Sequence, residues 1–253
     1  MSEIKKVSTE FHLDGGPARY RIGLIALHTD ETTERDFHRM LPADGDVMYY
    51  TSRVQTVNPV TVSNLKKMGD RLSHASSLLL PDVDLNVIAY SCTSGAMAIG
   101  YEEVAAQIRA GGHDNTEVVT PLTAACKAFA ELGIKTLSLL TPYIDSVTAP
   151  IREYIETEGV RVLNTRSFHI ESDVDIARLS QEDIKAAAIE TYNGGADALF
   201  MSCTALRAAD VIDELEAELE VPVLSSNQCM FWQALRLSGY TKPVPGFGRL
   251  MQQ

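Results

Sequence analysis

Two cysteines set 111 residues apart (203 − 92) carry the chemistry that can be read from this chain. Cys92 lies in Asn86-Val-Ile-Ala-Tyr-Ser-Cys-Thr-Ser-Gly95, and Cys203 in Asp197-Ala-Leu-Phe-Met-Ser-Cys-Thr-Ala-Leu206. In both, an apolar run that reads as a buried strand breaks at Ser-Cys-Thr, ahead of a stretch that can become helical. A thiol at such a turn meets free backbone N–H groups and the positive end of a helix dipole. Both stabilise a thiolate and are expected to lower the pKa from about 8.5 towards neutrality. Thr93 and Ser94 after the first cysteine, and Thr204 after the second, add hydroxyl donors. The same N–H groups can hold a substrate carboxylate and stabilise the enediolate formed when its α-carbon loses a proton. Two opposed thiols then divide the work. One, as thiolate, removes a proton or adds to carbon; the other, as thiol, delivers a proton. That scheme needs neither a metal nor an organic cofactor.

Elements able to present two such turns to one another recur along the whole chain. Apolar runs at Tyr20–Leu27, Val47–Val54, the run ending at Tyr90, Glu117–Val119, Lys135–Leu140, Arg161–Phe168, the run ending at Met201 and Val221–Leu224 read as strands. Helical patterns follow near Glu34–Met40, over Val62–Leu80 as one long helix, and at Tyr101–Ala110, Thr123–Leu132, up to Glu158, Gln181–Tyr192, Arg207–Glu218 and Gln228–Leu237. A loop with Asn58-Pro59 is expected after the second strand. Residues Met1 to Pro17 read as a loose polar lead-in. Strands alternating with helices imply an α/β fold of parallel sheets with helices on both faces. The pattern restarts half-way: Ile22 aligns with Thr136 and Val47 with Arg161, each at an offset of 114 (136 − 22; 161 − 47), close to the 111 of the cysteines. One half-molecule therefore occurs twice. Two pseudo-symmetric lobes are expected, 1–118 joined by the C-terminal 228–253, and 119–227, with the active site in the cleft between them. Ligands of open α/β sheets bind beyond the carboxyl ends of the strands, and the turns at His28, Ser91, Thr141, Ser202 and Ser225 belong to that edge.

Composition narrows the function. Of 253 residues, 45% are apolar and 22% charged, enough for a substantial core. A net charge of −12 argues against nucleic acid, which needs clustered Lys and Arg. No apolar run approaches the ~20 residues of a membrane span. The N-terminus lacks the apolar core of a signal peptide, so a cytoplasmic protein is expected. The four cysteines include no Cys-x-x-Cys pair, which disfavours a zinc knuckle or a thioredoxin-type site.

The paired Ser-Cys-Thr turns resemble those of the aspartate/glutamate racemase superfamily. Ile22-Gly-Leu-Ile25, Leu140-Thr-Pro-Tyr143 and Val244-Pro-Gly-Phe-Gly-Arg-Leu250 are similar to the branch that holds maleate cis–trans isomerase and arylmalonate decarboxylase. Ala89-Tyr-Ser-Cys-Thr-Ser-Gly95, Ser202-Cys-Thr-Ala-Leu-Arg207 and Ser226-Asn227-Gln228 look most like its ectoine-utilisation proteins. The resemblance runs over roughly Arg21 to Leu250. It implies a cofactor-independent isomerase or racemase acting on a small carboxylate or amino acid, with Cys92 and Cys203 catalytic and Tyr143 on a substrate carboxylate. Having both thiols moves the chain away from decarboxylation, for which that branch keeps only the second. A homo-oligomer, dimer or larger, is expected.

The departures are informative. Maleate isomerases carry an asparagine where this chain has Asp30, and a second family asparagine falls near Asp173. An acid facing a dicarboxylate repels it unless protonated or paired; two such acids suit a substrate that carries an amine, such as an ectoine-derived diamino acid. The expected substrate-binding set is thus Asp30, Thr93, Ser94, Tyr143 and Thr204. Cys126 and Cys229 sit in apolar helical patterns and read as core. Arg53 reads as a structural salt bridge, His28 and His113 as surface or structural residues, and Asn227 equally as a cap or a pocket residue. The competing functions are cis–trans isomerisation of maleate by cysteine addition, and a non-catalytic small-molecule binder on the same fold.

Overall fold

The computed structural model describes residues 4–56 and 60–253; the expected Asn58-Pro59 loop lies outside them. Residues 4–16 are exposed and carry neither helix nor strand, in keeping with a polar lead-in.

Eight strands form two four-stranded parallel sheets. The first is built from β1 (Tyr20–Leu27), β2 (Val47–Val54), β3 (Val87–Ser91) and β4 (Glu117–Val119), in the order β2-β1-β3-β4. The second uses β5 (Thr136–Thr141), β6 (Arg161–Ser167), β7 (Ala198–Met201) and β8 (Val223–Ser225), in the order β6-β5-β7-β8. The central strands β3 and β7 are buried along their whole length, as strands covered by helices on both faces must be. Gly23 on β1 serves that covering: a Cβ there would lie 2.9 Å from Ile88 and 3.1 Å from Leu79.

The repeat is a property of the fold, with one register corrected. Ile22 pairs with Val87, and Leu137 pairs with Ala198. Since 198 − 87 is 111, the cysteine offset, the structural mate of Ile22 is Leu137, at 115, and not Thr136. The strand pairing fixes this register, whereas a loose match of apolar residues slides by one position.

The helices are α1 (Thr33–Met40), α2 (Val62–Lys66), α3 (Gly69–Ser77), α4 (Thr93–Ile99), α5 (Tyr101–Arg109), α6 (Pro121–Glu131), α7 (Asp145–Thr157), α8 (Asp173–Ala177), α9 (Gln181–Thr191), α10 (Ile212–Leu219) and α11 (Ser226–Ser238). Three differ from the sequence reading. The long helix expected over Val62–Leu80 is two, α2 and α3, divided at Lys67–Met68, which brings the Met68 side chain to the first cysteine turn. The helix expected from Arg207 begins as a 3₁₀ turn, Ala208–Val211, before α10. The short α8 went unread because five residues carry too little periodicity to register.

Two capped helices tie the lobes together. After β4, α6 opens with a capping box on Thr120 and Thr123 and carries Phe129 edge-on to Phe200 of β7, with centroids 5.4 Å apart. After β8, α11 opens with a capping box on Ser225 and Gln228 and carries Phe231 against Phe37 of α1, at 4.6 Å. Helix α11 lies over β1 and β3 of the first sheet, and α6 and α11 pack on one another. The buried apolar side chains accordingly form one continuous core across both sheets. No helix among the described residues is long and apolar enough to cross a membrane.

Candidate active site

Cys92 follows β3 directly and is the N-cap of α4. Its sulfur accepts the Gly95 N–H at 3.2 Å and lies 3.8 Å from Ser94 Oγ. Gly95 has to be glycine: a Cβ there would fall 2.7 Å from Cys92 Sγ, 2.6 Å from the Tyr90 hydroxyl and 2.7 Å from Met68 Cε. Cys203 follows β7, but no α-helix begins there; its sulfur takes the backbone N–H groups of Ala205 and Leu206 within an irregular turn. The expectation of two equivalent helix N-termini therefore holds only for the first half.

The thiols are not shifted in the expected direction. Each residue is 3% exposed, and burial pushes both thiols up to about 12. The Asp173 carboxylate pushes the same way, second to burial at Cys92. N–H donors and a seven-residue helix act against this but are outweighed, because desolvation of a thiolate in a dry site exceeds what dipoles return. With both thiols near 12, the protonated form is the one favoured at neutral pH.

A tyrosine stands beside each. The Tyr143 hydroxyl is the hydrogen-bonding neighbour of Cys203 and also feels Cys92; burial first, then Cys203, drives its own ionisation well up. The Tyr90 hydroxyl neighbours Cys92 and reaches Met68 Sδ at 3.7 Å. Tyr143 was expected at the site. The sequence marks Tyr90 only as a strand end, but residues two apart on a strand share a face, so Tyr90 and Cys92 point the same way.

The remaining expected residues divide between the site and its scaffold. Asp30 is buried, and desolvation raises its pKa. Its Oδ1 accepts the Thr32 and Thr33 N–H groups at 2.7 and 2.8 Å, and its Oδ2 accepts the Thr33 hydroxyl at 2.6 Å. It holds the entry to α1, the capping role open to an acid there. Thr93 donates to Ser226 Oγ at 3.0 Å, and Thr204 to the Ser91 carbonyl at 3.4 Å. Those two hydroxyls bind protein, while Ser94 stays beside the Cys92 sulfur. Arg53 donates to the carbonyls of Leu27 and Asp30 at 3.1 and 2.9 Å and pairs with Glu34, a structural role. His28 Nδ1 accepts the Thr56 N–H at 3.1 Å, and His113 faces the Ser76 carbonyl at 3.2 Å; both are structural. Cys126 and Cys229 lie in α6 and α11, and all four cysteines are free.

A polar seam locks the two cysteine turns together. Asn227 Nδ2 donates to Asp36 Oδ2 at 2.8 Å and to the Thr204 carbonyl at 2.9 Å. The Thr32 hydroxyl donates to the Ala205 carbonyl at 2.8 Å, and Thr33 Oγ1 meets Ser91 Oγ at 2.6 Å. On the outer side Arg35 and Arg39 of α1 pair with Asp210. Positions more than a hundred residues apart are thus held in one frame, with both thiols, both tyrosines and Asp173 within electrostatic reach of one another through Tyr143 and Asp173.

Comparison with known proteins agrees with this geometry. A maleate isomerase of Alcaligenes faecalis is 27% identical over 245 residues, covering 92% of this chain and 96% of that protein. An arylmalonate decarboxylase of Bordetella bronchiseptica is 31% identical over 137 residues, covering 53% of this chain and 57% of that protein. Among solved structures, a maleate isomerase of Pseudomonas putida with maleate superposes at a TM-score of 0.85 with 22% identity, covering 92% of this chain and 97% of the other. A Nocardia farcinica maleate cis–trans isomerase variant with a covalently bound succinylcysteine intermediate superposes at 0.83 with 24% identity, covering 92% and 98%; these two share the fold. The arylmalonate decarboxylase family model matches residues 86–251, a span that holds both cysteine turns, and the chain belongs to that family.

Proposed function

We propose that the protein is a cofactor-independent cysteine isomerase that works at one carbon of a small carboxylate, with Cys92 and Cys203 as the reacting pair. The observation that carries this reading is the position of Tyr143, whose hydroxyl hydrogen-bonds with Cys203 and lies within electrostatic reach of Cys92. The maleate isomerase relatives that match over nearly the whole chain support a cysteine isomerase.

In the racemase form, one sulfur takes the α-proton and the other gives a proton to the opposite face. One C–H bond breaks, one forms, and nothing is oxidised. The thiolate has to be generated with substrate in place, since both thiols are protonated beforehand. Tyr143 then has a double use, as donor to a substrate carboxylate and as the hydrogen-bond partner that steadies the Cys203 sulfur. Ser94 and the Gly95 N–H serve Cys92 in the same manner. Free thiols throughout suit a reducing compartment, which supports a cytoplasmic location. An ectoine-derived diamino acid belongs among the first substrates to try.

The second reading is maleate cis–trans isomerisation: a sulfur adds to one alkene carbon, the C–C bond rotates, and the C–S bond breaks again. The Alcaligenes relative favours it. A panel of amino acids and dicarboxylates followed by chiral chromatography in deuterated water separates the two. Deuterium at the α-carbon of an inverted product supports racemisation; turnover of maleate without such label supports addition. Turnover that survives both Cys92→Ser and Cys203→Ser would remove either reading.

A further inference from the structure

Asp173 is 9% exposed, yet its carboxylate makes no hydrogen bond or ion pair among the described residues. A buried carboxylate without a partner is a costly thing to keep. Its charge acts on both thiols and on the hydroxyls of Tyr90 and Tyr143, so the group belongs to the reaction space. We infer that Asp173 is the receptor for a substrate ammonium group, and that the site takes small carboxylates bearing an amine at or beside the reacting carbon. The inference rests on the two-thiol reading and names its substrate class.

Among the described residues no cation pairs with Asp173. Arg53 is engaged with two carbonyls and Glu34, and Arg35 and Arg39 with Asp210. Among the described residues no cluster of three or more His, Cys, Asp or Glu is arranged to hold a metal, which leaves an organic cation as the fitting partner. Asp30, the other acid expected to meet an amine, is a different case. Both of its oxygens are occupied by Thr32 and Thr33. It contributes its charge, which is felt at Asp173, but has no oxygen left free of donors. The two acids thus separate into a receptor and a cap, a division that their shared residue type conceals.

The placement has a consequence for activation. An ammonium on Asp173 cancels the field that this carboxylate exerts on both thiols, so thiolate formation becomes easier only with substrate bound. A dicarboxylate adds negative charge to the same space and gives no such relief.

The test uses ligand pairs that differ by one amine: aspartate against succinate, and 2-aminobutyrate against butyrate. Binding is read by titration calorimetry and as a thermal shift. The wild type is expected to bind the amine-bearing members at least about tenfold more tightly. Asp173→Asn, and Asp173→Ser should the first fold poorly, is expected to lose that preference, while Asp30→Asn keeps it. Equal binding within the pairs, a preference that survives in both Asp173 variants, or no binding of any amine-bearing member at millimolar concentration overturns the inference. Its failure is distinct from that of the two-thiol reading. Thiol-dependent turnover of an amine-free substrate sinks only the ammonium receptor, whereas Asp173-dependent binding with turnover indifferent to both thiols sinks only the thiol pair.

Discussion

The Gly95 N–H donates to Cys92 Sγ at 3.2 Å, and the hydrogen on Gly95 Cα that replaces a side chain is what lets Tyr90 and Met68 close on the same sulfur. Gly95→Ala should raise helix propensity in α4 by up to about 1 kcal/mol and yet destabilise the protein by a net 1–3 kcal/mol, roughly, through overpacking. Urea unfolding measures the balance. Turnover should fall with it, because the displaced atoms are the sulfur and the tyrosine hydroxyl; an Ala variant as stable and active as the parent would show that the contact has slack.

Both thiols are held near 12, so alkylation by iodoacetamide at pH 7 should be slow. The rate should climb about tenfold per pH unit up to pH 9 without levelling, since the thiolate is the reacting form. A plateau near neutrality would mean that the dipoles outweigh burial after all.

Asp36 and Asp173 are both raised to about 6, chiefly by burial. Between the ordinary carboxylate value of 3.8 and about 6, the folded chain holds protons that the unfolded chain has released. Unfolding free energy should therefore fall as pH rises through that window, by roughly 1.4 kcal/mol per pH unit for each group, and flatten above it. Asp36→Asn should remove part of the slope in urea melts at pH 4, 5, 6 and 7. A slope of the opposite sign would refute the assignment.

Asn227 joins α11 to α1 and to the second cysteine turn through Asp36 and the Thr204 carbonyl. Asn227→Ala takes from the buried Asp36 carboxylate its 2.8 Å donor, leaving the 3.3 Å contact from Arg35, and should cost about 1–3 kcal/mol. The loss should be smaller at pH 4.5, where Asp36 is protonated in the folded chain. Thermal unfolding at the two pH values makes the comparison.

Tyr143→Phe removes one hydroxyl and leaves the ring in the core. Stability should change by no more than about 1 kcal/mol, while kcat/KM drops by roughly ten- to a hundredfold, in the range of a lost polar contact at a reacting centre. Tyr90→Phe should have a smaller effect, because its hydroxyl touches a sulfur and a thioether but is not shared by both thiols. Steady-state kinetics on any substrate found by the panel decides it.

Whereas the order of the strands in each sheet came from the fold, the repeat, the alternation of strands with helices and the two cysteines were legible along the chain. These depend on local physics: an apolar run flanked by polar turns buries as a strand wherever it occurs, and residues at the strand end fall at the sheet edge. Tertiary structure alone decided what those thiols are. Turn chemistry pointed to a lowered pKa at Cys92 and Cys203, but the pKa depends on solvent exclusion by Tyr90, Tyr143, Met68 and α11, elements drawn from both halves. It also decided which acid is free. Asp30 and Asp173 look equivalent as letters; one accepts the N–H and hydroxyl groups of Thr32 and Thr33, and the other has no hydrogen-bond donor among the described residues. Hydrogen-bond saturation is a sum over neighbours that only folding brings together, and it is the reason the mechanism class was legible along the chain while the receptor for the substrate was not.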